Sequence, residues 1–241
     1  MNLFRHAALL LAATTIASTP ALAADVYTAE PEVAAVEESS EWGFDVAFGV
    51  AVTSRYVSRG VDQSRGPVVQ AYVEPSYGIF YAGVWGSGVT GSYVGIDNRD
   101  RAEIDLYAGV RPEFGNLSLD LGYAHYFYSR SGACCGEIYA KASYAFTDWF
   151  SAGGELYVDP RFDTQYGVLN NEISLPYDFT FSSAVGTWFD NTNTVDWNAG
   201  ISYTFADTVT LDARYHDSNR GPARFVVTLS VDSSLSALTG N

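Results

Sequence analysis

Asp212, Arg214, His216, Asp217 and Ser218 crowd into one short stretch and hold the side-chain types of a nucleophilic hydrolase. A hydroxyl, an imidazole to take its proton and a carboxylate to orient the ring are the parts of such a site. Alternate spacing puts 212, 214 and 216 on one face of an extended strand. No nucleophile-elbow motif or second carboxylate pair accompanies them, and Asp, His and Ser also gather at loop edges. The adjacent Cys134-Cys135 are the second candidate. Their Cα atoms must lie about 3.8 Å apart, below the usual disulfide range that starts near 4.4 Å. A strained vicinal disulfide and two free thiols both stand as readings. CC is not a zinc pattern, and only His125 and His216 supply imidazoles beyond the first few residues. No metal or cofactor is expected.

The third candidate is a scatter of charges that all share one parity. Asp45, Glu103, Asp105, Arg111, Asp120, Lys141, Glu155, Asp196, Asp212 and Arg214 alternate with bulky apolar residues. Glu74, Glu137, Asp159, Glu172, Arg55 and Arg224 extend the set. Charges on the inside of a closed sheet are tolerable only when hydrated or paired. Acids outnumber bases about two to one, so an open lumen should favour cations.

The elements that position these charges are strands. Phe44, Val46, Phe48, Val50 and Val52 share one face, opposite Asp45, Ala47, Gly49, Ala51 and Thr53. Ile104, Leu106 and Ala108 oppose Glu103, Asp105 and Tyr107; Leu117, Leu119 and Leu121 oppose Ser118, Asp120 and Gly122. From Phe44 to Val231 about twelve such segments follow one another. Gly, Ala, Ser and Thr on the polar face suit a crowded lumen better than the surface of a soluble sandwich. The pattern predicts an all-β, transmembrane, antiparallel up-and-down barrel of about twelve strands. Aromatics near strand ends, among them Tyr56, Tyr77, Phe80, Tyr126, Tyr128, Phe146, Trp149 and Phe205, suit interfacial girdles. His125 falls on the lipid-facing parity.

Arg5 and His6, an apolar run and Ala21-Leu22-Ala23 predict a cleaved export signal over residues 1–23. Residues 24–41 read as a disordered acidic periplasmic segment, 42–232 as the barrel and 233–241 as a C-terminal tail. The net charge of −15, with Lys141 the only lysine, excludes nucleic acid as a partner and fits a lipid-facing belt. Short connections near 75–78, 112–116, 147–148, 176–178 and 206–207 alternate with longer ones near 54–66, 88–101, 129–136, 159–164, 190–194 and 217–223. Short turns belong to the periplasm, which puts both termini there. The expected location is the outer membrane of a Gram-negative bacterium. Expected partners are outer-membrane lipid and lipopolysaccharide, small solutes or ions, and the barrel-assembly machinery during biogenesis.

Arg55, Arg59, Gly60 and Gln63 mark the first long connection, the densest basic stretch of an acidic chain. Its arginines could pair with lumen acids or meet lipopolysaccharide phosphates, and ion pairing is the better reading. Ser54-Arg55-Tyr56-Val57-Ser58-Arg59-Gly60, with Gln63-Ser64, Pro67 and Gln70, resembles the opening motif of the TorF-type porin family of proteobacteria. Phe80 to Ser87 and Glu103 to Gly109 resemble its next blocks; Leu175-Pro176, Trp197 to Gly200 and Leu211 to Tyr215 resemble later ones. The resemblance implies an outer-membrane barrel with a porin role and carries over no site residues. Outer-membrane barrels commonly end on an aromatic, whereas here Val231 is followed by Asp232 and the tail. The function expected is a narrow, passive, weakly cation-preferring diffusion channel. A structural or adhesive barrel with a plugged lumen is the alternative, and an outer-membrane hydrolase the second. The chain is not expected to be an enzyme.

Overall fold

A computed structural model describes residues 43–90, 97–189 and 193–240. The export signal and the acidic segment lie outside the described residues, as do parts of the second and fifth long connections. Strict alternation becomes twelve long strands. They are β1 Phe44–Thr53, β2 Val68–Tyr77, β3 Phe80–Gly88 and β4 Ala102–Val110. Next come β5 Leu117–Tyr128, β6 Gly132–Thr147, β7 Phe150–Asp159 and β8 Thr164–Leu175. The last four are β9 Phe179–Trp188, β10 Val195–Phe205, β11 Val209–Ser218 and β12 Gly221–Ser234. Each pairs antiparallel with its neighbours in sequence, and Ala47–Thr53 of β1 pair with Thr228–Ser234 of β12. That last pairing closes the barrel, so each of the twelve described strands has a strand partner on both sides, the condition for crossing lipid with strands.

Period two sets the two faces. Phe44, Val46, Val50, Leu106, Leu119 and Leu229 all fall on the outer parity, and Val52 at 52% and Leu106 at 49% are exposed. A dozen strands of exposed Val, Leu, Ile and Phe make sense only against an apolar solvent. At the short-turn end the outer face turns aromatic. Tyr144 meets Phe146 at 4.9 Å, Phe146 stacks on Phe150 at 5.5 Å, and Phe179 meets Tyr203 at 4.8 Å.

The inner face is a second, aromatic packing system. Tyr81, Tyr107, Tyr139, Tyr157 and Tyr166 are buried inside the barrel. Several lie across glycines of the next strand. A Cβ at Gly83 would sit 2.4 Å from the Tyr107 ring, and one at Gly122 2.3 Å from the Tyr139 hydroxyl. The small residues on the polar parity are notches for these rings.

Two boundaries differ from expectation. β5 and β6 run on to a tight turn at Ser129–Ser131, so the expected third loop over 129–136 is mostly strand. Cys134 and Cys135 therefore lie within β6, joined by a disulfide, where Cys134 is the extra residue of a bulge opposite Tyr126 and Phe127. Backbone pairing needs no apolar alternation, and the bulge absorbs the misfit. At the other end β12 reaches Ser234, and Leu235–Thr239 form a helical turn, α1, capped by Ser234 and by Gly240 at φ 67°. Asp45 accepts bonds from the Ser236 amide (2.9 Å) and hydroxyl (2.5 Å), holding α1 on the barrel wall.

Candidate functional site: a lumen constricted by the first loop

After Thr53 the chain turns into the barrel. Tyr56 donates its amide to the Ser64 hydroxyl at 2.8 Å, and Gln63 donates its own to the Tyr56 carbonyl at 2.8 Å. Val57–Ser58 pair with Val61–Asp62, so the segment is a miniature hairpin. Its tip is Arg59-Gly60, both with positive φ (46° and 72°). Two such residues are what a type I′ hairpin turn demands, and glycine takes the second without strain. Arg55 bonds Asp62 at 2.9 Å, and Arg224 of β12 reaches the same carboxylate. Tyr56, Arg59, Gln63 and Ser64 are buried, with Tyr56 edge-on to Trp85 at 5.7 Å. Tyr56 is thus no girdle residue. Tyr126 and Tyr128 also face inward, donating to Glu137 (2.8 Å) and Glu103 (2.6 Å).

The tip crosses to the far wall. The Arg59 guanidinium bonds Glu137 at 2.7 Å and lies over the rings of Trp188 (4.5 Å), Tyr166 (4.6 Å) and Tyr157 (5.3 Å). The Ser218 hydroxyl donates to the Gly60 carbonyl at 3.0 Å, and Tyr166 donates to Asp196 at 2.9 Å. A loop leaving β1 is thereby tied to β6, β7, β8, β9 and β11.

Below the tip, toward the short-turn end, the charges fall into pairs. Arg111 holds Glu74 at 2.5 Å and Asp120 at 3.2 Å, and its guanidinium lies 3.7 Å over the Tyr81 ring. Tyr81 in turn donates to Asp120 at 2.5 Å and meets the Tyr139 hydroxyl at 2.6 Å. Lys141 lies in register between Asp120 and Glu155, with its ammonium 5.2 Å from the Tyr139 ring. Glu155 accepts from Tyr157 and from Asn170, both at 2.6 Å. Arg214 bonds Asp212 at 3.0 Å, Asn198 at 2.7 Å and the Ser182 hydroxyl at 2.8 Å. Asp45, Glu103, Asp105 and Asp196 are buried on the same interior parity.

The aromatic rings form a continuous strip through these charges. Trp188 to Tyr166 is 5.2 Å between centroids, Tyr166 to Tyr157 6.4 Å, and Tyr157 to Tyr139 6.1 Å. The Tyr139–Tyr81 hydroxyl contact carries it on to the start of β3. Neither the strip nor the reach of Arg59 across the lumen is anticipated by sequence reasoning. The available signal is the placement of tyrosine on the glycine-bearing parity.

Among the described residues no hydrogen bond joins His216 to Asp212 or Ser218, the partners the hydrolase reading needs. Asp212 is engaged by Arg214, and Ser218 by the Gly60 carbonyl. His125 faces outward beside Tyr123 (3.0 Å) and edge-on to Phe127 (4.8 Å).

At the long-loop end Asp97, Arg99, Arg101, Ser129 and Arg130 line an open cleft of about 690 Å³. Buried Asp100 organises it by accepting the Arg130 amide (2.6 Å) and the Ser131 hydroxyl (2.6 Å). The Arg99 guanidinium on Asp97 draws that carboxyl down to about 2.

A model of the Gcw_chp family, described as a bacterial protein of unknown function, matches residues 37–237. Among solved structures, the KdgM porin superposes with a TM-score of 0.58 at 10% identity, over 78% of this chain and 98% of that one. The NanC porin does so with a TM-score of 0.55 at 11% identity, over 77% and 98%. At such identity the likeness is one of fold. No curated protein sequence matches the chain.

Proposed function

The chain belongs to the Gcw_chp family, and we propose that it is a passive outer-membrane diffusion channel, narrow and weakly cation-preferring. The observation that carries this reading is the interior. A closed wall surrounds paired charges, and a loop folded to Arg59 narrows the passage. A barrel that served only as a scaffold would be served as well by an apolar filling, since buried ion pairs add little net stability. Porin-like neighbours, and the resemblance to TorF-type porins, point the same way.

Cation preference is supported by the excess of acids over bases on the interior parity. One of the similar structures is a KdgM porin in complex with oligogalacturonate. That ligand is a polyanion, the class of solute that an acid-rich lumen disfavours.

Orientation follows from the rims. Arg65, Arg99, Arg101, Arg130, Arg161 and Arg220 are exposed at the long-loop end; Glu113, Asp148, Asp178 and Asp207 are exposed at the short-turn end. We assign the arginine rim to the lipopolysaccharide phosphates and the acidic rim, with both chain ends, to the periplasm.

The second reading is a plugged structural barrel, favoured by how thoroughly Tyr139 and Tyr166 are buried. Planar-bilayer recordings separate the two. Discrete conductance steps with a reversal potential of cationic sign support the channel. Silence from heat-modifiable, folded protein retires it.

A further inference from the structure

Arg59 sits in a cage assembled by other parts of the chain. Its partners come from four wall strands, β6 to β9, while Arg59 arrives on the tip of a hairpin that must enter the lumen to reach them. Anchoring a loop requires far less. Arg55, in the same loop, is held by Asp62 alone among its charged contacts with the described residues. Around Arg59 three aromatic faces and a carboxylate converge within 5.3 Å.

The chemistry of the cage selects its occupant. Aromatic faces attract weakly hydrated, delocalised or alkylated cations, and the carboxylate adds directed bonds to N–H donors. A small hydrated metal ion gains nothing from ring faces, because it needs oxygen ligands. Anions meet the negative face of every ring.

The strip below repeats the arrangement. Lys141 lies by Tyr139 and Tyr157, and Arg111 lies over Tyr81 beside Asp120 and Glu74. Tyr157 is shared by the first two stations, so the ring faces of the cage and of the next station are contiguous.

We propose that the cage around Arg59 is a subsite for organic cations bearing a guanidinium or primary amine, that Arg59 is its resident stand-in, and that the tyrosine strip is the track such solutes follow. The proposal rests on the channel reading for the track, but not for the subsite.

The test uses full-length protein in detergent and in planar bilayers. The probes are agmatine, a guanidinium-bearing diamine, and N-butylurea, neutral and of similar reach. Arg59→Ala vacates the cage. Trp188→Leu with Glu137→Gln in that background dismantles it. Calorimetry should show agmatine binding at least tenfold tighter to Arg59→Ala than to wild type, lost again by tenfold in the dismantled variant, with no heat from N-butylurea. Agmatine should also interrupt the current of Arg59→Ala at lower concentration than that of wild type. Arg59→Met, which keeps the stem, serves if Arg59→Ala fails to give a heat-modifiable band.

Equal response to the two probes, or agmatine affinity indifferent to Trp188 and Glu137, overturns the proposal while leaving the channel standing. Binding as expected without current in any form leaves the subsite and removes the channel.

Discussion

Replacing Gly60 with alanine should expel the first loop from the lumen while leaving the barrel intact. The residue has φ 72°, and an added Cβ would lie 2.5 Å from the Ser218 Cβ and 2.7 Å from the Asp196 Cβ. Ordinary carbon contacts are about 3.5–4.0 Å, so roughly an ångström must open on two sides at once. The wall cannot supply it, because Asp196 and Ser218 are register partners on adjacent strands of a closed sheet. The left-handed conformation costs alanine about 1–2 kcal/mol, and overpacking adds about 1–3 kcal/mol. The sum, about 2–5 kcal/mol, corresponds to roughly 30- to several-thousand-fold in the seating equilibrium of the loop. The strand ladders are untouched, so the heat-modifiable band should persist. Trypsin should cut after Arg55 or Arg59 in Gly60→Ala and spare both in wild type, and bilayer conductance should rise severalfold. Wild-type conductance with unchanged trypsin resistance in folded Gly60→Ala would refute the claim that the seated loop forms the constriction.

Asp105→Asn with Glu155→Gln should move the reversal potential across a salt gradient toward zero, and raising the salt should do the same to wild type as screening grows; an anion-selective wild type would contradict the acid-excess argument. Replacing Cys134 and Cys135 together with serine should leave the folded band in place, since β6 is held by strand pairing on both sides; its loss would make the pair structural. Asp97, drawn down to about 2 by Arg99, contributes loop stability that is fully present above its unfolded pKa and lost as the pH falls through the folded value. The carboxyl resonance of Asp97 should therefore titrate near pH 2, and should return toward 4 in Arg99→Gln; no movement between the two would show that the pair does not form in solution.

The wall of this barrel is legible because its rule is local. Lipid admits only apolar side chains, so Phe44, Val46, Val50 or Leu106 announces its face within a few residues, and strand limits can be read closely. Where that rule lapses the reading fails, as over Gly132 to Gly136, which pair as strand with no apolar alternation to betray it. The lumen follows no local rule. Tyr139 is inward because Gly122 lies opposite on another strand, and Arg59 reaches Glu137 across 78 residues of chain. Charges such as Asp105 and Asp212 are legible as interior by parity. Their partners are not, because pairing inside a tube depends on tilt and stagger that emerge only when it closes. Tyr56, Tyr126 and Tyr128 mislead for a related reason: aromatics suit both a membrane interface and a crowded interior, and composition cannot choose between them.

The meeting of β1 with β12 has a consequence for the order of assembly. Eleven of the twelve strand pairings join neighbours in sequence and can form as hairpins, each closing a short loop. The twelfth joins Ala47–Thr53 to Thr228–Ser234 and must wait until nearly the whole chain has been threaded. Such a non-local contact is slow to form, and it is absent until the end. Until then β1 and β12 present bare edges, the state most exposed to misjoining with another chain. Once the seam zips, reversing it inside lipid would strip backbone groups of partners that no solvent can replace. One short row of residues thus makes the barrel hesitant to form and reluctant to come apart.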